Sequence, residues 1–493
     1  MSFSPRSLQQ LLATLPVAPV AVALSALFSA LVILQHPLLN DDAYSYLRAA
    51  EAFNTRGALA VLESFGWYNY SFLIALLDQV LPGGMIAAAH LLNTACYALL
   101  TWAFIQLSSE LGSTRRVQGF AALCILCLPL VNEMRYFLIR DAGFWAFALL
   151  SLVFLIRYGR TGHMLTALWW CLSLCAATAF RLEGMMLLLL APLSLLLPEG
   201  TLSTGERTMR CVQLHGIALA TLTAVVLVTL LAGISLIDLI AYSYRYYLPL
   251  LADLFTSGNL PGSDNTAPGF VMLLSGDVLA LLTNLINALS LPLVVLMLFS
   301  RYAHGPAALP PTSRRALLVY ISIATLALVL FLLIMHFMTQ RYTTLLSLLL
   351  LSFVPLVLDR LYTQAQERGT LKRFMGIVSV FIFYYLIDSL FSFGYSQQHV
   401  EEGVAWTREN LPAEAQLRTN NFAIAYHSGR IPDYDLTVRA IVNVLQSSTS
   451  GDYLVLEIDH DDDASALDNT LLYLPLTRFA NERGDEVRVY QRQ

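Results

Sequence analysis

The residues able to do chemistry in this chain are carboxylates and arginines set at the ends of apolar runs. Leu39-Asn40-Asp41-Asp42-Ala43-Tyr44 places two adjacent acids directly after the first such run. A carboxylate at that boundary can act as a general base toward a hydroxyl or help hold a metal. It can equally be a solvated acid in the first turn of a surface helix. A second group is Glu133-Met134-Arg135-Tyr136-Phe137-Leu138-Ile139-Arg140-Asp141. A charge within a span costs about 2.5–3.5 kcal/mol on insertion scales, so Arg140 and Asp141 must face a cavity or a partner. A structural ion pair at a helix end would also satisfy them. Arg181-Leu182-Glu183 interrupts what would otherwise be one long apolar run, and it reads as a loop pair in solvent or as a tight turn whose charges need polar company. Farther on come Tyr244-Arg245-Tyr246 and Gln340-Arg341-Tyr342. Tyrosine is common at membrane interfaces. Arginine is a planar fork suited to phosphate. Acids and arginines together suit an anionic lipid headgroup and a hydroxyl to be activated.

The elements that must position these residues are apolar helices. The 493 residues are 57% hydrophobic and 13% charged, against about 25% charged in ordinary soluble domains. Mean hydropathy is +0.62. The excess is arranged in blocks, such as 17–34, 185–197 and 316–335. Lipid cannot satisfy free backbone groups, so the blocks are expected to be helices. Spans are expected near 17–35, 85–107, 117–134, 142–158, 164–180, 184–198, 211–233, 270–300, 316–338, 342–358 and 374–394, about eleven in all. The N-terminal run lacks a convincing cleavage site and reads as a retained span. Residues 67–81 are apolar but short and carry Asn69 and Asp78, which suggests a juxtamembrane or re-entrant helix. The stretch from Asp41 to Gly57 has apolar residues at helical spacing and reads as an amphipathic helix at the membrane surface.

Charge bias fixes an expected orientation. With the N-terminus cytoplasmic, the inner loops hold 14 basic residues and the outer loops 7, as the positive-inside rule requires. Asp41, Asp141, Arg181, Arg245 and Arg341 then share the outer face. An odd span count puts residues 396–493 outside as well. That segment is charged, with a helical pattern over 400–410 and strand patterns at 452–458 and 486–490. The expected class is therefore an α-helical polytopic membrane protein over 1–395, with a first outer loop at 36–84, followed by a small α/β extracytoplasmic domain at 396–493.

Other features carry less. The net charge is −5, and no basic patch points to nucleic acid. The six cysteines, Cys124-x-x-Cys127 among them, read as small apolar residues in helix contacts. Asp459-His460-Asp461-Asp462-Asp463 lacks the glycine and closing glutamate of a calcium loop and reads as a solvated acidic turn.

An acid pair after the first span, a tyrosine close behind and a helix ended by Gly57 resemble the GT-C glycosyltransferases. The likeness is to the bacterial group that includes lipid A aminoarabinose transferase and protein O-mannosyltransferase-like enzymes. Arg140-Asp141 is similar to that family's second-loop acid, Arg341-Tyr342 to its late basic residue, and Ala405-Trp406-Thr407-Arg408-Glu409-Asn410-Leu411-Pro412 to its entry into an outer domain. The resemblance implies a polyprenyl-phosphate sugar donor, a glycan, lipid or protein acceptor, and one inverting displacement at the outer face of the bacterial cytoplasmic membrane. It implies that Asp41 is the catalytic carboxylate, with Asp42 standing where the family more usually has Glu. Asp141 would assist, Arg341, Arg245 and Arg140 would hold the donor phosphate, and Tyr44, Arg181 and Glu183 would serve the acceptor or the structure. A divalent cation on Asp41 and Asp141 is an expected option in such a family. Two other classes compete. A transporter or lipid flippase would show repeated halves or broken mid-membrane helices. A membrane scaffold would leave Asp41, Asp141 and Arg341 scattered.

Overall fold

The computed structural model describes residues 16–57, 60, 68–198, 202–231, 233, 249, 267–304, 309–391, 396–431, 440–462 and 472–493. Helix α1 (Val17–Gln35) follows Pro16 and has a mean hydropathy of 2.5. Helix α2 (Asp41–Arg56) buries Ala43, Tyr44, Tyr46, Leu47 and Ala50 and ends at Gly57. That spacing is one apolar stripe of an amphipathic helix. Helix α3 (Tyr68–Val80) has 13 residues, too few to cross a bilayer alone. It is fastened to α2 where Asn54 Nδ2 donates to Asp78 at 2.8 Å.

Helix α4 (Gly84–Leu111) leads into α5 (Arg115–Leu126), whose Thr114 cap accepts from the Val117 amide at 3.2 Å. The run expected as one span at 117–134 is broken. Residues 127 and 128 leave the helix, and a short α6 (Pro129–Glu133) follows. Pro129 explains the break: it has no amide to donate, and it disfavours helix in the residue before it. Helix α7 (Asp141–Thr161) ends on Gly162, which is left-handed at φ 70°. Helix α8 (Met164–Phe180) and helix α9 (Gly184–Leu190), which runs on into a 3₁₀ turn over Ala191–Leu196, are both short.

Helices α10 (Thr204–Leu231), α11 (Ala267–Leu289), α12 (Leu291–His304), α13 (Pro311–Met335), α14 (Gln340–Leu351), α15 (Val354–Glu367) and α16 (Leu371–Leu390) complete the helical part. The span expected at 270–300 bends by 91° between α11 and α12, at Ser290 with φ 63°. Pro292 lies just past the bend and cannot donate to a helix continuing through it.

About eleven spans are expected from sequence. The described residues hold six helices long and apolar enough to cross a membrane, or seven if the bent pair counts as one. The runs expected at 164–180 and 184–198 form shorter apolar helices. The chain is a multi-pass membrane protein. Helix α7 is its axis: 83% of its apolar window is buried, against 11% for α10. It packs on α4, α8, α13 and α14.

The C-terminal segment holds α17 (Gln398–Asn410), β1 (Leu417–Thr419), α18 (Phe422–Ser428), α19 (Ile441–Ser447), β2 (Tyr453–Ile458), β3 (Tyr473–Ala480) and β4 (Glu486–Arg492). The sheet order is β1-β2-β4-β3, with β1 parallel to β2 and the other pairs antiparallel. Helix α17 covers the sheet, while α18 leans on α2. Strands β2 and β4 lie where period-2 patterns predict them. Strands β1 and β3 were not expected. The first has three residues, and the second carries Pro475 at a register shift.

Candidate active site

Two loops and the starts of α2, α7 and α14 meet at one end of the bundle. Asn40 sits in extended conformation before α2, but its side chain does not cap that helix. Its Oδ1 accepts from the Leu138 amide at 2.9 Å, which joins the first loop to the second. The same end receives the start of α14: Arg341 Nη1 donates to Asp42 Oδ2 at 2.7 Å. A shorter chain of charges lies beside it. Asp141 opens α7 and pairs with Arg181, and Arg181 pairs in turn with Glu183. The Arg181 guanidinium stands over Tyr342 at 5.0 Å and Phe144 at 5.7 Å.

Local packing explains why Asp141 and Arg181 meet. Gly143 lies against the Phe180 ring, and a Cβ there would collide with it. The missing side chain lets α7 and α8 close at this end, which brings Asp141 beside Arg181 at the C-terminus of α8. Both charges are almost enclosed, at 4% and 7% exposure. Charges so placed are tolerated only when paired. Burial opposes ionisation of Glu183, but Arg181 and, farther off, Arg140 outweigh it and hold the carboxyl at about 2.

An apolar groove of about 210 Å³ starts at these charges. Arg140, Arg181 and Glu183 form its polar end, and Trp145, Leu328, Phe331, Met335 and Leu345 line the rest. Tyr342 joins the two parts. The groove offers an alkyl chain an apolar bed and its headgroup two arginines.

Asp41 faces elsewhere. It lines a cavity of about 420 Å³ whose other walls belong to the C-terminal segment, including Asn420, Asn421, Phe422, Glu457, Asp459 and Asp462. Asn421 Nδ2 donates to Glu457 Oε2 at 2.6 Å, and the Glu457 amide donates to Asn420 Oδ1 at 2.9 Å. Burial pushes the Glu457 carboxyl up, and the charges of Asp459 and Asp41 add to that push. Neighbouring residues on a helix differ by about 100° in direction. The two acids of α2 therefore serve different spaces, Asp42 the arginine side and Asp41 the cavity under the C-terminal sheet.

The remaining expected residues fall as follows. Tyr44 is fully buried under α18: His427 Nε2 lies 3.5 Å from its hydroxyl, and the Tyr426 ring centre 5.4 Å from its own. It braces the C-terminal segment on α2 rather than facing the groove. Arg245 lies outside the described residues. Asp41 lines the cavity under the C-terminal sheet, while Asp141 pairs with Arg181. Among the described residues no three His, Cys, Asp or Glu side chains converge on one point.

Two residues escaped the sequence reading. Tyr46 lies within the fields of Arg140, Asp141, Asp42 and Arg341 and meets Tyr70 edge-on at 5.0 Å. Its spacing of four from Asp42 on a helix is the signal that could have found it. Arg135 is completely buried and donates to Asn132 Oδ1 at 2.7 Å, Ser25 O at 3.0 Å and Ser29 Oγ at 2.9 Å. It is a brace between α1 and the second loop. The serine pair Ser25 and Ser29, four apart inside an apolar helix, was its sequence trace.

No family model and no curated protein matches the sequence. Solved structures do match the fold. ArnT from Cupriavidus metallidurans, bound to undecaprenyl phosphate, aligns at 11% identity and a TM-score of 0.57, covering 95% of this chain and 97% of that one. The oligosaccharyltransferase AglB from Archaeoglobus fulgidus, in complex with an inhibitory peptide and a dolichol-phosphate, aligns at 13% identity and a TM-score of 0.52. It covers 97% of this chain and 74% of that one. Both are GT-C glycosyltransferases, and the chain described here has a GT-C-like fold.

Proposed function

We propose that this chain is an inverting glycosyltransferase that moves a sugar from a polyprenyl-phosphate donor to an acceptor hydroxyl at the outer face of the bacterial cytoplasmic membrane. The observation that carries this reading is the division of labour at α2. An arginine-rich apolar groove lies on the Asp42 side, and an aqueous, carboxylate-lined cavity lies on the Asp41 side. The donor tail occupies the groove, with its phosphate near Arg140 and Arg341. The acceptor enters below the C-terminal sheet. The neighbours' bound undecaprenyl phosphate and dolichol-phosphate support a lipid-phosphate donor.

In the reaction the acceptor oxygen attacks the anomeric carbon as the bond from that carbon to the phosphate oxygen breaks. Asp41 takes the hydroxyl proton, a step worth about 10²–10⁴-fold in rate when a base is well placed. The electron pair of the broken bond leaves on the polyprenyl phosphate, where arginine forks stabilise it. Asp42 is already engaged with Arg341 and serves to orient that guanidinium. Asp141 and Glu183 together hold Arg181. The N-terminus then lies in the cytoplasm and residues 396–493 outside.

The test is Asp41→Asn in purified, lipid-reconstituted protein, read as release of polyprenyl phosphate from a lipid-linked sugar. The expected result is a loss of about 10²-fold or more with unchanged melting temperature. Turnover equal to wild type would sink the assignment of the base.

A further inference from the structure

Two walls of the donor groove are joined by one short loop. Helix α13 supplies Leu328, Phe331 and Met335, and α14 supplies Tyr342 and Leu345. Only residues 336–339 separate these helices, and Arg341 follows in the first turn of α14. The position of that loop therefore bears directly on where the arginine stands.

The loop is held from behind by α11, which packs on α14. His336 Nδ1 lies 2.9 Å from Asp277 Oδ2. A carboxylate only accepts, so the imidazole donates. Two turns farther along α11, on the same face, Asn284 Nδ2 donates to the Met338 carbonyl at 3.3 Å. His336 has φ 48° and ψ 27°, a left-handed conformation. A residue other than glycine is uncommon there, and such strain persists only where the surroundings fix it. What fixes it is Asp277. Among the described residues the ring makes no other hydrogen bond, and its Nε2 is buried. Asp277 in turn is 7% exposed within an apolar helix. A carboxylate so placed in a membrane protein needs a partner. Neither residue lines the groove, so the pair acts on it through the loop.

We propose that Asp277 and His336 are a positioning pair, a latch that fixes the loop between α13 and α14 and so sets Arg341 for the donor phosphate. The proposal rests on the reading of Arg341 as a phosphate-binding residue.

The test uses the full chain in phosphatidylcholine nanodiscs, with undecaprenyl phosphate as the probe and native mass spectrometry as the measure of binding. R341Q is expected to weaken binding about tenfold. H336G breaks the latch at a position where glycine is unstrained, and is expected to weaken binding about fivefold. H336N keeps a donor at the place of Nδ1 and tolerates the left-handed backbone, so it should bind within about twofold of wild type. H336G/R341Q should bind no more weakly than R341Q alone, because the latch acts through that arginine. Effects that multiply in the double variant would overturn the proposal by tracing the loss to packing in general. So would wild-type binding by H336G, or binding by H336N as weak as that of H336G. D277A breaks the same bond from the other side and stands in where H336G does not fold. Hydrogen exchange over residues 336–342 without the lipid reads the latch separately from the donor. H336G should speed it, and unchanged exchange overturns the latch. Faster exchange in H336G with wild-type binding by R341Q would instead sink the phosphate role of Arg341 and keep the latch on the loop.

Discussion

Helix α7 carries charged residues at both ends, and the two ends use the same residue types differently. At its C-terminal end Arg157 Nε donates to Glu110 Oε1 at 2.6 Å, Arg160 pairs with the same carboxylate, and Arg157 Nη2 reaches Gln106 at 2.9 Å. Nearby, Arg116 meets Asp359 at 2.8 Å and ties α5 to α15. These arginines are 37–44% exposed. Their acids Glu110 and Asp359 are 11% and 20% exposed, so each pair is open to solvent on the arginine side, where screening keeps its contribution to about 1 kcal/mol, and here the pairs fasten helix ends to their neighbours. At the N-terminal end, roughly 28 Å away, the Arg181 side chain is 8% exposed and shared by two acids. The arginines at this end border a groove that can hold a lipid. The comparison teaches that pairing alone does not mark a site. What marks it is a paired charge that also borders an empty apolar space.

The comparison predicts a graded set of effects. Arg181→Gln should be the most damaging, because it leaves Asp141 buried without its partner. Loss of one member of a buried pair costs about 3–5 kcal/mol, readable as a large drop in unfolding free energy in detergent together with loss of turnover. A variant as stable as wild type would mean that this end resembles the other. Arg341→Gln should come next. A hydrogen bond to a charged group is worth about 1.5–3 kcal/mol, so the KM for the lipid donor should rise roughly tenfold or more. The melting temperature should hardly move, since Arg341 and Asp42 are 32% and 46% exposed. An unchanged KM would remove Arg341 from the phosphate site.

A smaller effect appears with pH. Glu183 has its carboxyl lowered to about 2 in the folded chain from an ordinary value of 4.5. A depressed carboxyl adds stability that is present above the unfolded value and is lost as pH falls through the folded one. Its contribution should therefore be constant above about pH 5 and fade between about 4.5 and 2. Melting curves of Glu183→Gln and wild type should converge across that window, and curves that stay parallel would contradict the assignment. The smallest effect is expected at the other end of α7. Glu110→Gln should cost about 1 kcal/mol or less and leave turnover within about twofold. A large loss of turnover there would erase the distinction between the two ends.

Much of this site could be read from sequence, because a charge at the end of an apolar run has few places to go. Asp41, Asp42, Arg140, Asp141, Arg181, Glu183 and Arg341 stand out on that ground alone. Their partners could not be read. Asp42 finds an arginine 299 positions later, and nothing local encodes that distance. The opposite facing of Asp41 and Asp42 follows from helical geometry, yet it has meaning only once the C-terminal sheet covers one side. Asn40 has the type and position of a helix cap but bonds to Leu138 across the loops. The breaks at Pro129 and Pro292 were open to inspection, since proline cannot donate within a helix, but an unbroken hydropathy signal concealed them. Strands β1 and β3 lacked the alternation that reveals a half-buried strand.

The brace at Arg135 bears on how the protein is made. Besides Asn132 three residues before it, its guanidinium bonds to Ser25 and Ser29, both within α1. Synthesis runs from the N-terminus, so those serines enter the bilayer roughly a hundred residues before the arginine leaves the ribosome. The acceptor for a costly charge is thus in place before the charge arrives. Moving α1 to the end of the chain by circular permutation would reverse that order. Arg135 would then emerge with Asn132 at hand but before Ser25 and Ser29, although the finished contacts would be the same.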